Sequence, residues 1–142
     1  MRLFCKTIFH LTFLLILSSC TRGPVDNVPA AGRLPSIEPD YSGTIIPYNI
    51  APLNFKIMEK GSAFLVRFSV PNSSSFDIRS RKGIIAIPEN KWKTFLSENK
   101  DRDINVDVFV MDEKNGWSKF STITNRISSD PVDPFITYRL LY

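Results

Sequence analysis

From position 53 onward, hydrophobic and polar residues alternate along the chain. Phe64, Val66, Phe68 and Val70 take every second place around Leu65, Arg67 and Ser69, and Ile104, Val106, Val108 and Val110 do the same around Asn105, Asp107 and Phe109. A period of two built from β-branched and aromatic residues predicts strands with one face on a core. The same reading places further strands at 53–59, 76–81, 83–87, 117–124 and 135–141. Asn115-Gly116 falls between two of them and predicts a tight hairpin, because both residues tolerate positive φ. Lys60-Gly61 and the stretch 71–75 mark other turns. One segment keeps a different period: within 89–100, Trp92, Phe95 and Leu96 follow i, i+3, i+4 spacing and share one face of a short helix. Pro88 starts it and Asn99 stops it. The fold class predicted for residues 53–142 is a mainly β, small antiparallel β-sandwich, Ig-like or related, with one short helix. At 90 residues such a domain buries about 60–65% of its surface, enough to fold without staples.

Before position 53 the alternation is absent. Six of the ten prolines, at 24, 29, 35, 39, 47 and 52, lie between residues 20 and 52. That density blocks both helix and ladder and predicts an extended spacer of about 3 Å per residue. Its second half carries Tyr41, Ile45, Ile46, Tyr48 and Ile50, apolar enough to lie along the domain. Residues 1–19 read differently. Arg2 and Lys6 precede an apolar run at positions 8–17 that is broken only by His10 and Thr12. The run is short of the about 20 residues that a permanent span needs, but it fits a secretory signal. Leu17-Ser18-Ser19-Cys20 resembles the bacterial lipobox, which implies cleavage between Ser19 and Cys20 and lipid on the Cys20 sulfur. The alternative is an ordinary signal or anchor with a chance cysteine. Each buried methylene is worth about 0.8 kcal/mol, so several acyl chains hold a protein on a membrane in practice permanently. Thr21 follows the cysteine and no acidic cluster succeeds it. By similarity to lipoprotein sorting signals, this implies the outer membrane, with the domain in the periplasm.

Composition matters here through position. Of the 142 residues, the only two cysteines and the only histidine, Cys5, His10 and Cys20, fall in the first twenty. The remainder cannot form a Ser-His or Cys-His pair, a Cys/His zinc site or an internal disulfide. The expectation is a non-enzyme, with no catalytic residues, no metal and no cofactor. Charge says little about partners: the 18 basic residues fall to 16 once Arg2 and Lys6 are removed, against 14 acidic, a net of +2. A nucleic-acid module shows a strongly basic face with interleaved aromatics, and none is expected here. Arg79-Ser80-Arg81-Lys82 reads instead as a solvated turn. Asp130 and Asp133 fall short of the six to eight oxygens that calcium takes, and Asp-Pro pairs form ordinary turns. Glu98, Asp101, Asp103 and Asp107 could supply the paired acids of a glycosidase, but Asp103 and Asp107 fall on the solvent side of their strand.

Three segments carry a family resemblance. Residues 40–55 (Asp-Tyr-Ser-Gly-Thr-Ile-Ile-Pro-Tyr-Asn-Ile-Ala-Pro-Leu-Asn-Phe) resemble the start of the mature part of Bacteroidetes TolB-like β-propeller lipoproteins, often catalogued as cytochrome c biosynthesis proteins. Residues 91–96 are similar to the helix that follows there, and 130–141 to the junction into the propeller. The resemblance implies an N-terminal β domain, ending where the propeller would begin, that serves as an envelope scaffold. Covalent haem attachment needs Cys-x-x-Cys-His, which the chain lacks. Two functions stay open: a non-catalytic interaction module that docks an envelope protein or the rest of a longer propeller protein, and a module that binds a glycan or peptidoglycan fragment. The candidate interaction surface comprises Trp92, Trp117, Phe120 and Tyr48.

Overall fold

The computed structural model describes residues 28–114, 116–133 and 135. Along them run β1 (Ile37–Glu38), β2 (Ile45–Pro47), β3 (Phe55–Ile57), β4 (Ala63–Ser69), β5 (Ser75–Ser80), β6 (Ile84–Ile85), α1 (Glu89–Glu98), β7 (Asp103–Met111), β8 (Trp117–Lys119) and β9 (Ile123–Ser128). The described residues are mainly β with one short helix. Its larger sheet has the order β2-β9-β7-β4-β5, with β8 also on β7, and the smaller has β1-β3-β6. The alternation at 64–70 and 104–110 does what its period requires. Phe64, Val66 and Phe68 pair across to Val110, Val108 and Val106, and all six side chains are buried on the inner face. Phe55, Ile57 and Ile85 of the smaller sheet complete that core.

Trp92, Phe95 and Leu96 of α1 join the core as their spacing predicts. Phe68 stacks on Phe76 at 4.9 Å, and Trp92 and Phe95 meet these two rings edge-on at 5.9 and 5.1 Å. Pro88 is the N-cap and Asn99 the C-cap. Asn99 is wholly buried and ties three segments together. Its Nδ2 donates to the Phe95 carbonyl (2.7 Å) and to Ser74 Oγ (3.1 Å), while its Oδ1 accepts from Ser73 Oγ (2.7 Å) and Arg102 Nη1 (3.4 Å). Arg102 also donates to the Pro71 carbonyl, so the end of the helix, the β4–β5 turn and the start of β7 are fixed to one another.

Three expectations change. First, the folded part begins well before position 53. Within the proline-rich stretch, β1 pairs with β3, and β2 pairs with β9, in parallel rather than antiparallel. Prolines are tolerated because they stand on edges, Pro47 in the outermost strand of its sheet. Further upstream, Lys119 N–H donates to the Pro29 carbonyl, Ala31 N–H to the Lys119 carbonyl and Ser121 N–H to the Arg33 carbonyl, so residues 29–33 lie along β8. Second, the strand expected at 117–124 is broken. Lys119 faces Phe109 but Ile123 faces Val106, which places three residues opposite two. This is a β-bulge with one extra residue. Phe120 and Ile123 both point inward, three positions apart, and β9 continues to Ser128. Third, the turn between β7 and β8 is organised by Asp112, while Asn115 of the expected Asn115-Gly116 hairpin lies outside the described residues. Asp112 Oδ1 accepts from the N–H of Lys114 (2.8 Å) and of Gly116 (2.7 Å). The strand expected at 135–141 and the leader, with Ser19 and Cys20, lie outside the described residues, apart from Phe135, which is not in a strand. Among the described residues, no helix is long and apolar enough to cross a membrane.

The registers give the sandwich two ends. At the hairpin end, Met111 and Trp117 face each other beside Ser62, whose N–H donates to the Met111 carbonyl. At the far end, β9 and β2 finish side by side, Pro47 against Ser128, next to Asp103.

Candidate functional site

The four aromatic candidates are not brought together. Trp92 is 1% exposed and Phe120 7%, so both belong to the core and neither offers an interaction surface. The helical spacing of Trp92 signals core packing, and the inward turn at the bulge accounts for Phe120. Trp117 and Tyr48 are half-buried, one at each end of the sandwich. The eight residue steps of β7, Asp103 to Met111, separate those ends by about 27 Å at 3.4 Å per residue. Lys100 Nζ lies 3.5 Å from the Tyr48 ring centroid, a cation–π contact at the far end. Asn49, next in sequence, clamps the chain after β9: its Nδ2 donates to the Val132 carbonyl (3.1 Å) and its Oδ1 accepts the Val132 N–H (2.7 Å). Sequence reasoning missed this clamp, because an asparagine that completes a backbone-like pair across 83 residues has no local signature.

The acids weighed for catalysis are held by neighbours on the outer face of the larger sheet. Asp103 pairs with Arg126 (3.2 Å), while Asp107 pairs with Lys119 (3.0 Å) and accepts from Thr122 Oγ1 (2.6 Å) across the bulge. Asp77 accepts from Arg67 Nε (2.9 Å) and Nη2 (3.0 Å). Asp101, with φ +58°, accepts the Ser129 N–H, and Asp133 the Phe135 N–H, so both shape turns. Among the described residues, no three His, Cys, Asp or Glu side chains are grouped to hold a metal ion. Arg79-Ser80-Arg81-Lys82 forms the end of β5 and the turn into β6, where Lys82 N–H donates to Ser80 Oγ.

One acid has a clear electrostatic signature. Glu59 receives both Arg33 guanidinium nitrogens (2.7 and 2.6 Å) and the Ser36 N–H (2.8 Å). The Arg33 hydrogen bond, assisted by Ser36, holds its carboxyl below the ordinary glutamate range in spite of partial burial. Arg33 also lies 4.9 Å over the Phe120 ring. Glu59 therefore fastens the N-terminal segment to the sandwich.

Two open grooves of about 320 and 380 Å³ flank α1, one against Tyr48, Asn49 and Ser97, the other against Ser75, Phe76 and Asn90. Between the sheets a cavity of about 20 Å³ touches Trp92, Tyr41 and Asn125, room for about one water molecule. Among the described residues, Trp92 Nε1 has no hydrogen-bond partner. Among the described residues, Leu34, Met58 and Ile84 expose apolar side chains in the N-terminal segment and at the smaller sheet, and three more are exposed in the segments at the far end. Ile45 on β2 is 72% exposed and Phe135 81%, with Val132 close to the Asn49 clamp. No described strand covers the outer edge of β2. Compared with protein-family models, curated proteins and solved structures, the chain matches none.

Proposed function

We propose that the protein is a lipid-anchored envelope protein, held in the outer membrane through Cys20, whose periplasmic β domain acts as a non-catalytic interaction or scaffold module. The observation that carries the module reading is the far end of the sandwich. Ile45 stands exposed on an edge that no described strand covers, and Val132 and Phe135 are exposed in the chain after β9, while the charged outer face of the sheet carries its own ion pairs. An uncovered edge offers backbone hydrogen bonds to an incoming strand, and flanking apolar side chains give that contact specificity. The glycan reading needs a platform of neighbouring aromatics, and Trp117 and Tyr48 stand too far apart to make one.

Two experiments test the two halves. With Cys20→Ala, palmitate labelling and membrane partition are expected to be lost together. A variant that still partitions fully once labelling has failed sinks the lipid anchor. A photo-crosslinking residue at position 45 of the full chain in growing cells is expected to give a discrete adduct, and the same residue at Thr124, on the outer face, none. Adducts at neither position, or at both alike, would remove the far end as the interaction surface.

A further inference from the structure

The path of the chain into the domain constrains how the domain stands on a membrane. Ala30 bridges Lys119 in parallel, so residues 29–31 run in the direction of β8, and Val28 lies toward the Trp117 end. Cys20 precedes Val28 by eight positions. At no more than about 3.6 Å per residue, that leash reaches about 29 Å even when drawn straight. The spacer read from the proline density, running from 20 to 52 at about 3 Å per residue, would have reached about 100 Å. The difference comes from the hydrogen bonds to β8 and from the Arg33–Glu59 pair that fastens the segment.

We infer that the domain stands on the bilayer by its hairpin end, with the β7–β8 turn and Trp117 against the lipid surface and the far end turned outward. The inference rests on lipidation of Cys20. In the inverted arrangement, Val28 would sit about 27 Å or more above the membrane, the length of β7. The leash would then be nearly straight, at a cost in chain entropy for every residue extended. With the hairpin end down, the eight positions from Cys20 to Val28 have no such distance to span. The chemistry of that end suits an interface without demanding anionic lipid. Trp117 is half-buried, an apolar ring with one polar N–H of the kind enriched at membrane–water boundaries. Lys60 and Lys114 are matched there by Asp112 and Glu113, so net charge contributes little and screening by salt changes little. The same orientation presents Ile45 and Phe135 away from the membrane, where a partner can reach them.

The test uses the full lipidated chain in vesicles of phosphatidylethanolamine and phosphatidylglycerol that contain a headgroup-labelled acceptor lipid. A donor dye is placed on an introduced cysteine, Glu113→Cys at the hairpin end or Asp130→Cys at the far end. Because Cys5 leaves with the leader and the Cys20 sulfur carries lipid, the new thiol is the one available to the dye. Energy transfer from position 113 is expected to exceed that from 130 by about twofold, given a separation of about 27 Å, and to do so at low and high salt alike. Equal or reversed transfer overturns the orientation and leaves the anchor standing. Failure of the protein to float with the vesicles overturns the anchor itself. A flexible insert of about 30 residues after Cys20 lengthens the leash several-fold and is expected to erase the difference. If the difference survives, the leash is not its cause.

Discussion

Replacing Asn99 with alanine tests whether one buried amide holds the far end of the domain together. The side chain is 0% exposed and makes four hydrogen bonds, to Phe95, Ser73, Ser74 and Arg102. Ser73 is exposed and Arg102 partly so, and these two can turn to water when the amide is gone. The Phe95 carbonyl, in the last turn of α1, cannot do so as easily. A buried carbonyl left unpaired costs about 1–3 kcal/mol, and each bond that water replaces well costs less. With a small cavity added, Asn99→Ala is expected to destabilise by about 2–4 kcal/mol. For a domain of this size, 1 kcal/mol moves the midpoint by about 4–8 °C, so Tm is expected to fall by about 10–30 °C. Urea unfolding followed by tryptophan fluorescence supplies the free energy, with Ser73→Ala as the control at about 1 kcal/mol or less. If Asn99→Ala costs no more than Ser73→Ala, the three segments are held by packing alone and the reasoning about the amide is wrong.

Two more outcomes follow from the geometry. Gly83 has φ +73° and a Cβ there would lie 2.8 Å from the Ile57 carbonyl oxygen, whereas Gly43, at φ +68°, has nothing within 4 Å. Left-handed backbone costs a residue with a Cβ about 1–2 kcal/mol, so by urea unfolding Gly43→Ala should lose about that much and Gly83→Ala clearly more. Glu59, held below the ordinary glutamate range first by Arg33, contributes stability that is full above that range and is lost as pH falls through its lower folded value, since the unfolded chain binds the proton first. Glu59→Gln should therefore flatten the acid side of the stability–pH curve, read from urea midpoints between neutral and acid pH.

What could be read from the sequence followed the strength of the local pattern. The strands at 64–70 and 104–110 lie within one residue of where alternation puts them, because each has one face on the core throughout. α1 was legible for the same reason, from three side chains on one stripe. β9 was harder to see. Its inward positions are Ile123, Asn125 and Ile127, and the polar Asn125 interrupts the apolar period. That asparagine is inside because its Oδ1 accepts the Thr44 N–H at the start of β2, a role visible only once the two strands are side by side. β1 and β2 were hidden by the prolines around them. Three or fewer residues long, they are strands by virtue of their neighbours rather than their own propensity. Of the candidate surface, burial removed Trp92 and Phe120. The exposed edge at Ile45 went unnoticed because exposure is a property of the assembled sheet.

The parallel pairing of β2 with β9 also sets a timetable for the nascent chain. Thr44 waits for Asn125, 81 residues later, and residues 29–33 wait for β8. Synthesis proceeds from the N-terminus at about 5–20 residues per second, so β2 and residues 29–33, made early, find their partners late, whereas β1 meets β3 soon after it is made. Until roughly position 128 has emerged, β2 has no strand to join, with loop-closure entropy delaying that pairing. Until β9 has been made, a chain ordered this way can still be threaded at β2.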